Sequence, residues 1–344
     1  MAKRRSSRKR PSSNKSLPQP EHHRKLTGTR DAEEDIAKVE RLPVTYQEIA
    51  EYFAQFEGFN PFILRVETFR RIERITNTPL ICYVTRTTNI PQGIPTYIDD
   101  SDLTAFGDLV HLVEGPNIDI LLVSNGGSAE AAERIVYLLR ERFERIRFIL
   151  PANAYSAATL MSFAGDEIIM GPLATLGPID PQLNGIPVRA ILRSFERLEQ
   201  RLKEEGPQAI TAYMPLLQKY DLHILEICRS AEELSTELAR AWVSEYMLKC
   251  PKDDEKVTQV VNFFSSYDTH KSHARGINRQ VAREKGLHVT SVEKIDGLAD
   301  LLRSLRSQYD IWFDKLPFYK LFEDSRGTNW GRQFDIQPIR NHPT

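Results

Sequence analysis

The spacing of apolar positions changes twice along this chain. Between residues 31 and 75 they recur at helical intervals, in "DAEEDIAKVERL" and again in "TYQEIAEYFAQFEGF", which predicts an amino-terminal helical cap. From Pro79 the texture becomes continuous. "LICYVTRT" and "IDILLVS" (118–124) are short apolar runs rich in β-branched and aromatic residues, the pattern of strands buried on both faces. Between them "SDLTAFGDLVHLVEG" predicts a helix capped by Ser101. After "NGG", "SAEAAERIVYLLRERFER" predicts another, with Ser128 as its cap, Glu130 and Glu133 in the first turn, and Ala132, Ile135, Leu139 and Phe143 on one face. A strand "IRFIL", an apolar helix "SAATLMSFAG" and a strand "EIIMG" follow. This alternation predicts an α/β fold of right-handed βαβ units on a parallel sheet.

After Gly185 the pattern turns long-helical, with apolar stripes in "VRAILRSFERLEQRLKEE", "DLHILEICRSAEELSTELARAWVSEYMLK" and "EKVTQVVNFFSS". Such helices pack outside a sheet or build an oligomer interface. The aromatic stretch "YDIWFDKLPFYKLFEDSRGTNWGRQFD" fits a core, a strand pair or a contact surface, and core is the expected reading. The organisation expected is a basic tail at 1–30, a helical segment at 31–75, a main α/β domain at 76–290 with a helical insertion at about 189–265, and a carboxy-terminal helix with an aromatic-rich extension at 291–344.

Charge refines this picture at one end. Of 344 residues 41% are hydrophobic, enough for a sizeable core, and the net charge is −1. Residues 1–30, however, hold ten Lys or Arg against Glu21 alone, a local +9 that leaves −10 for the remainder. A segment such as "MAKRRSSRKRPSSNKS" has no apolar run to bury and is expected to be disordered. Its charge allows weak contact with nucleic acid or an anionic membrane. With no aromatic residues to stack bases, a solubilising or localising tail is the favoured reading. Cys82, Cys228 and Cys250 are odd in number and far apart, which argues for a reducing compartment. Without a signal-peptide core or an apolar stretch of spanning length, the chain is expected to be cytoplasmic. The histidines show no metal-site spacing and the glycines form no nucleotide-binding loop, so neither a metal nor any other cofactor is expected.

In open α/β sheets ligands gather outside the carboxyl ends of the strands. Two such ends stand out. In "LLVSNGGSAEAA" a buried strand runs into Gly126 and Gly127 and then into a helix, so free N–H groups lie beside a positive helix end, a setting for a developing anion. In "FILPANAYSAATL" a second strand delivers Ser156 to the start of an apolar helix. An isolated serine there is ordinarily an N-cap. Paired with the glycine turn, it has the arrangement of an acyl-transfer nucleophile facing its oxyanion hole.

The order of a strand, "SNGGS" and a helix, then a strand, "AYSAATL" and an apolar helix, then "DEIIMGPLATLGPIDPQ", resembles the Clp-type protease and crotonase-like superfamily, and within it the serine dehydrogenase proteinase family. The resemblance covers about residues 79–290. It implies a ClpP/crotonase-like fold and a serine peptidase that acts on peptides or proteins through an acyl-enzyme and assembles as a homo-oligomer. It also implies catalytic roles for Ser156, for Asp180 in "LGPIDPQ" and for His270 in "YDTHKSHARGINRQVAREKGLHV", with His273 as the alternative base. The oxyanion donors it implies are the N–H groups of Gly127 and Ala157, with Gly126 supporting the turn. The sequence departs from the family pattern at Ala158, usually glycine, and at Lys271 and Ser272. Two further readings stay open, a catalytically silent assembly subunit and a crotonase-like acyl-thioester enzyme.

Overall fold

The computed structural model describes residues 41–54, 61–218, 220–221 and 223–334. The basic tail, residues 31–40 of the predicted cap and residues 335–344 lie outside the described residues. The described chain opens with helices α1 (Tyr46–Ala54) and α2 (Pro61–Thr76). It continues through β1 (Leu80–Thr85), α3 (Asp102–His111), β2 (Asn117–Val123), α4 (Ala129–Arg142), β3 (Arg145–Leu150), β4 (Asn153–Ala154), α5 (Ala157–Phe163), β5 (Glu167–Met170) and β6 (Thr175–Leu176). A short hairpin of β7 (Gln182–Leu183) and β8 (Ile186–Pro187) leads to helices α6 (Val188–Glu205), α7 (Ile210–Leu217), α8 (His223–Trp242), α9 (Glu255–Ser265) and α10 (Tyr267–His270). The remaining elements are β9 (Ile277–Asn278), α11 (Arg279–Glu284), β10 (Val289–Ser291), α12 (Leu298–Lys315), β11 (Phe318–Asp324) and β12 (Asn329–Gln333).

The central sheet has the order β10-β5-β3-β2-β1-β11-β12. Its first five strands run parallel, as the buried apolar runs predict, and β11 and β12 pair antiparallel at the β1 edge. The molecule is a mixed α/β fold with helices on both faces of this sheet. Strand alternation sends Ile81, Ile120, Phe148 and Ile168 to one face, where α3, α4, α5, α8 and α9 cover them. It sends Cys82, Leu121, Ile149 and Ile169 to the other, under Phe69 and Ile72 of α2 and Leu302, Leu305 and Trp312 of α12. Among the described residues no helix is long and apolar enough to cross a membrane.

Two expectations are refined. Within the stretch expected to form a carboxy-terminal helix and aromatic-rich extension, residues 318–333 supply an edge of the same sheet: Ile81–Thr85 pair with Asp324–Lys320. Its aromatic run is part core and part strand pair, with Trp312 and Phe322 buried. Ser101 precedes α3 but its side chain caps no N–H; the hydroxyl instead donates to the Asp99 carboxylate. Ser128 does cap α4, accepting from the Ala131 N–H at 3.0 Å.

Candidate active site

The glycine turn is set by contacts that leave no space for a side chain. Ile98 runs alongside it, donating to the Gly126 carbonyl at 2.8 Å and accepting from the Ser128 N–H at 2.9 Å. Gly127 lies between these two bonds, so its own N–H faces away from Ile98, as the alternation of a parallel pair requires. A Cβ at Gly127 would stand 2.3 Å from the Ile98 N and O atoms. A Cβ at Gly126 would stand 2.6 Å from the Ser156 Cβ and 3.3 Å from the Ala157 nitrogen, which shows how closely the two predicted strand ends approach. Both glycines have positive φ, 101° and 156°.

Ser156 occupies the N-cap position of α5 without acting as a cap, since its side chain accepts no N–H of the helix. Its backbone has φ 52° and ψ −119°, a conformation that costs a non-glycine residue roughly 1–3 kcal/mol and is concentrated at functional sites. The N–H groups of Gly127 and Ala157 find no acceptor among the described residues. Two free donors thus border the half-exposed serine.

A second sheet gathers the remaining pieces. β4 pairs parallel with β6, and β6 pairs antiparallel with β9. The chain therefore leaves β4 and β6 at the same end at which it enters β9. Ser156 follows β4, Asp180 follows β6 and His273 precedes β9, so the three side chains stand on loops at one end of this small sheet. Thr159 ties it together: its hydroxyl donates to the Ala154 carbonyl at 2.7 Å and accepts from the Gly177 N–H at 2.9 Å. Tyr155 and Thr175 add a hydroxyl–hydroxyl bond of 3.0 Å.

Asp180 is only 3% exposed, and its Oδ1 lies 2.9 Å from the Nδ1 of His273. Its Oδ2 has no hydrogen-bond partner among the described residues. The flanking Ile179 is pinned on both sides, its N–H to the Phe264 carbonyl at 2.9 Å and its carbonyl to the Ser235 hydroxyl at 2.8 Å.

His270 points elsewhere. It is buried, its Nε2 lies 2.7 Å from the Phe263 carbonyl, and its ring meets the Phe263 ring edge-on at 4.8 Å. Burial, with a smaller push from Arg275, holds its imidazole below the ordinary value. The structure thus pairs His273, not His270, with Asp180. Lys271, with φ 60°, turns the chain between them. Lys203 is exposed on α6, paired with Glu199. Among the described residues no group of three or more His, Cys, Asp or Glu is placed to hold a metal ion. Ile98 and Thr159, which brace the two turns, carried no signal in the sequence: an isoleucine and a threonine between apolar neighbours fit any core.

Residues 55–210 match the family described as ClpP-like SDH-type serine proteinases. One uncharacterized protein of Methanocaldococcus jannaschii is 28% identical over 204 residues, spanning 55% of this chain and 68% of its own length. A second from the same organism is 32% identical over 140 residues, 39% of this chain and 49% of its own length. Among solved structures, a ClpP1 mutant from Listeria monocytogenes aligns with 66% of this chain and 99% of its own at 14% identity and a TM-score of 0.35. Through residues 55–210, which carry the glycine turn, Ser156 and Asp180 but neither histidine, the chain matches the ClpP-like SDH-type serine proteinase family.

Proposed function

We propose that this protein is a serine peptidase that cleaves peptide bonds through an acyl-enzyme at Ser156. The observation that carries this reading is the Asp180–His273 hydrogen bond, made at the same end of the small sheet from which Ser156 projects. A carboxylate on Nδ1 favours the tautomer with its proton there, which leaves Nε2 free to accept the serine proton. Ser156 Oγ then attacks the substrate carbonyl carbon as His273 takes its proton. The oxygen that becomes negative meets the N–H groups of Gly127 and Ala157, whose lack of other acceptors supports this role. His273 returns the proton to the leaving amine, and water repeats the sequence on the ester.

His273 takes the role that the family resemblance implied first for His270, because the Nε2 of His270 is already engaged by a main-chain carbonyl. A homo-oligomer is part of the same reading. Exposed Ile210, Met214, Tyr220 and Ile227 in the helical region after β8 support it, since apolar side chains in such number suit a protein contact.

Fluorophosphonate labelling with peptide mapping tests the proposal. Labelling is expected at Ser156, absent from Ser156→Ala, reduced by up to roughly 10⁶-fold in His273→Ala and retained in folded His270→Ala. Labelling insensitive to His273 overturns the triad. A folded, assembled wild type that never labels points to a silent assembly subunit, and co-purifying acyl thioesters point to crotonase-like chemistry.

A further inference from the structure

The segment that splints the oxyanion turn is itself held by a largely buried ionic cluster beside β1 and β11. Ile98 is followed by Asp99, and Asp102 opens α3. Lys320, buried on β11, reaches both: its Nζ lies 2.9 Å from Asp99 Oδ2 and 2.8 Å from Asp102 Oδ1. The Tyr83 hydroxyl, from β1, donates to Asp102 Oδ2 at 2.8 Å, and the Asp99 N–H donates to the same oxygen at 3.2 Å. Asp99 Oδ1 in turn accepts from the Ser101 N–H at 2.9 Å. Tyr83 is fixed by stacking on Phe322 and by an edge contact with Phe106. The loop at 98–102 therefore has little freedom to slide over the sheet.

This cluster is more than a stability device, because of what lies one residue away. Ile98 makes both hydrogen bonds that flank Gly127, so a shift of the Asp99 main chain moves the peptide whose N–H is assigned to the oxyanion. We propose that Lys320, acting through Asp99 and Asp102, is a positioning residue for the oxyanion turn, a role that rests on the peptidase reading of that turn. Oxyanion donors act only at correct distance, and a displacement of about 1 Å can cost on the order of 100-fold in rate.

Loss of one ionic partner in a buried cluster also destabilises the fold, so position and stability must be separated. Lys320→Met leaves buried Asp102 with only the more distant Arg332, 4.0 Å away, as a cation. The double variant Lys320→Met/Asp102→Asn removes the stranded charge as well, and its melting temperature is expected to recover most of the loss. Its maximal fluorophosphonate labelling rate is still expected to be roughly 10- to 100-fold below wild type, with the half-saturating probe concentration unchanged. Amide exchange at Ser128, whose N–H bonds to Ile98, is expected to accelerate in both variants. A double variant that regains both stability and labelling rate overturns the proposal, as does an unchanged Ser128 exchange rate. If wild type fails to label while Ser128 exchange still responds to Lys320, the peptidase reading fails and the strut stands.

Discussion

Two buried carboxylates in this protein are treated in opposite ways. Glu323 on β11 is saturated: Arg65 meets both of its oxygens at 2.8–3.2 Å, Tyr309 donates to Oε2 at 2.7 Å and Asn329 to Oε1 at 3.2 Å. Arg65 also lies over the Trp312 ring at 4.2 Å. Asp180 holds one histidine on Oδ1 and nothing on Oδ2 among the described residues. The bonds to Glu323 lower the energy of one arrangement and lock its strand to α2, α12 and β12. In the proposed triad Asp180 serves a single ring, and the stabilisation it would offer is greatest when that ring becomes cationic.

The sharpest break of this contrast is Asp180→Asn. Labelling of Ser156 is expected to fall roughly 10³–10⁴-fold, because the amide no longer enforces the tautomer. The melting temperature is expected to move little, since Oδ2 has no partner to lose. Glu323→Ala should do the reverse. It strands the Arg65 guanidinium, 0% exposed, and is expected to cost about 3–5 kcal/mol in urea denaturation, with labelling per folded molecule unchanged. A Glu323 variant that loses labelling while fully folded would erase the distinction.

The two histidines sharpen it further. His270 is held below its ordinary pKa by burial, so the unfolded chain takes up a proton before the folded one does. Its contribution is complete above about pH 6.5 and is lost as the pH falls through that value toward the lower folded pKa. His270→Gln is expected to flatten this part of the melting-temperature profile, whereas His273→Gln is expected to lower labelling. Smallest of all, Ser128→Ala removes the cap on the Ala131 N–H and an exposed hydroxyl bond to Glu130, and is expected to cost about 1 kcal/mol by the same denaturation.

The parallel strands, the glycine turn and Ser156 could be read from the sequence because each is written in local pattern: apolar runs of strand length, paired glycines, a serine entering an apolar helix. The histidine could not. His270 and His273 lie three residues apart, and which of them reaches Asp180 depends on α10 ending at His270 and on Lys271 turning left-handed, neither of which has a periodic signature. The β11–β12 hairpin was hidden for a different reason. Lys320, Glu323 and Asp324 are buried in ionic clusters, so a fully covered strand reads as a charged, mixed segment. Polar residues that satisfy one another inside a protein defeat the rule that burial follows hydrophobicity. Ser101 failed as a cap because the neighbouring Asp99 carboxylate took its hydroxyl.

The small β4-β6-β9 sheet carries a consequence for biosynthesis. Its third strand, Ile277–Asn278, leaves the ribosome long after Asn153–Ala154 and Thr175–Leu176, and His273 is carried on the loop that this strand anchors. A growing chain thus carries Ser156 and Asp180 without the proposed base between them, and the proposed site closes only after about a hundred further residues have been made to contain it.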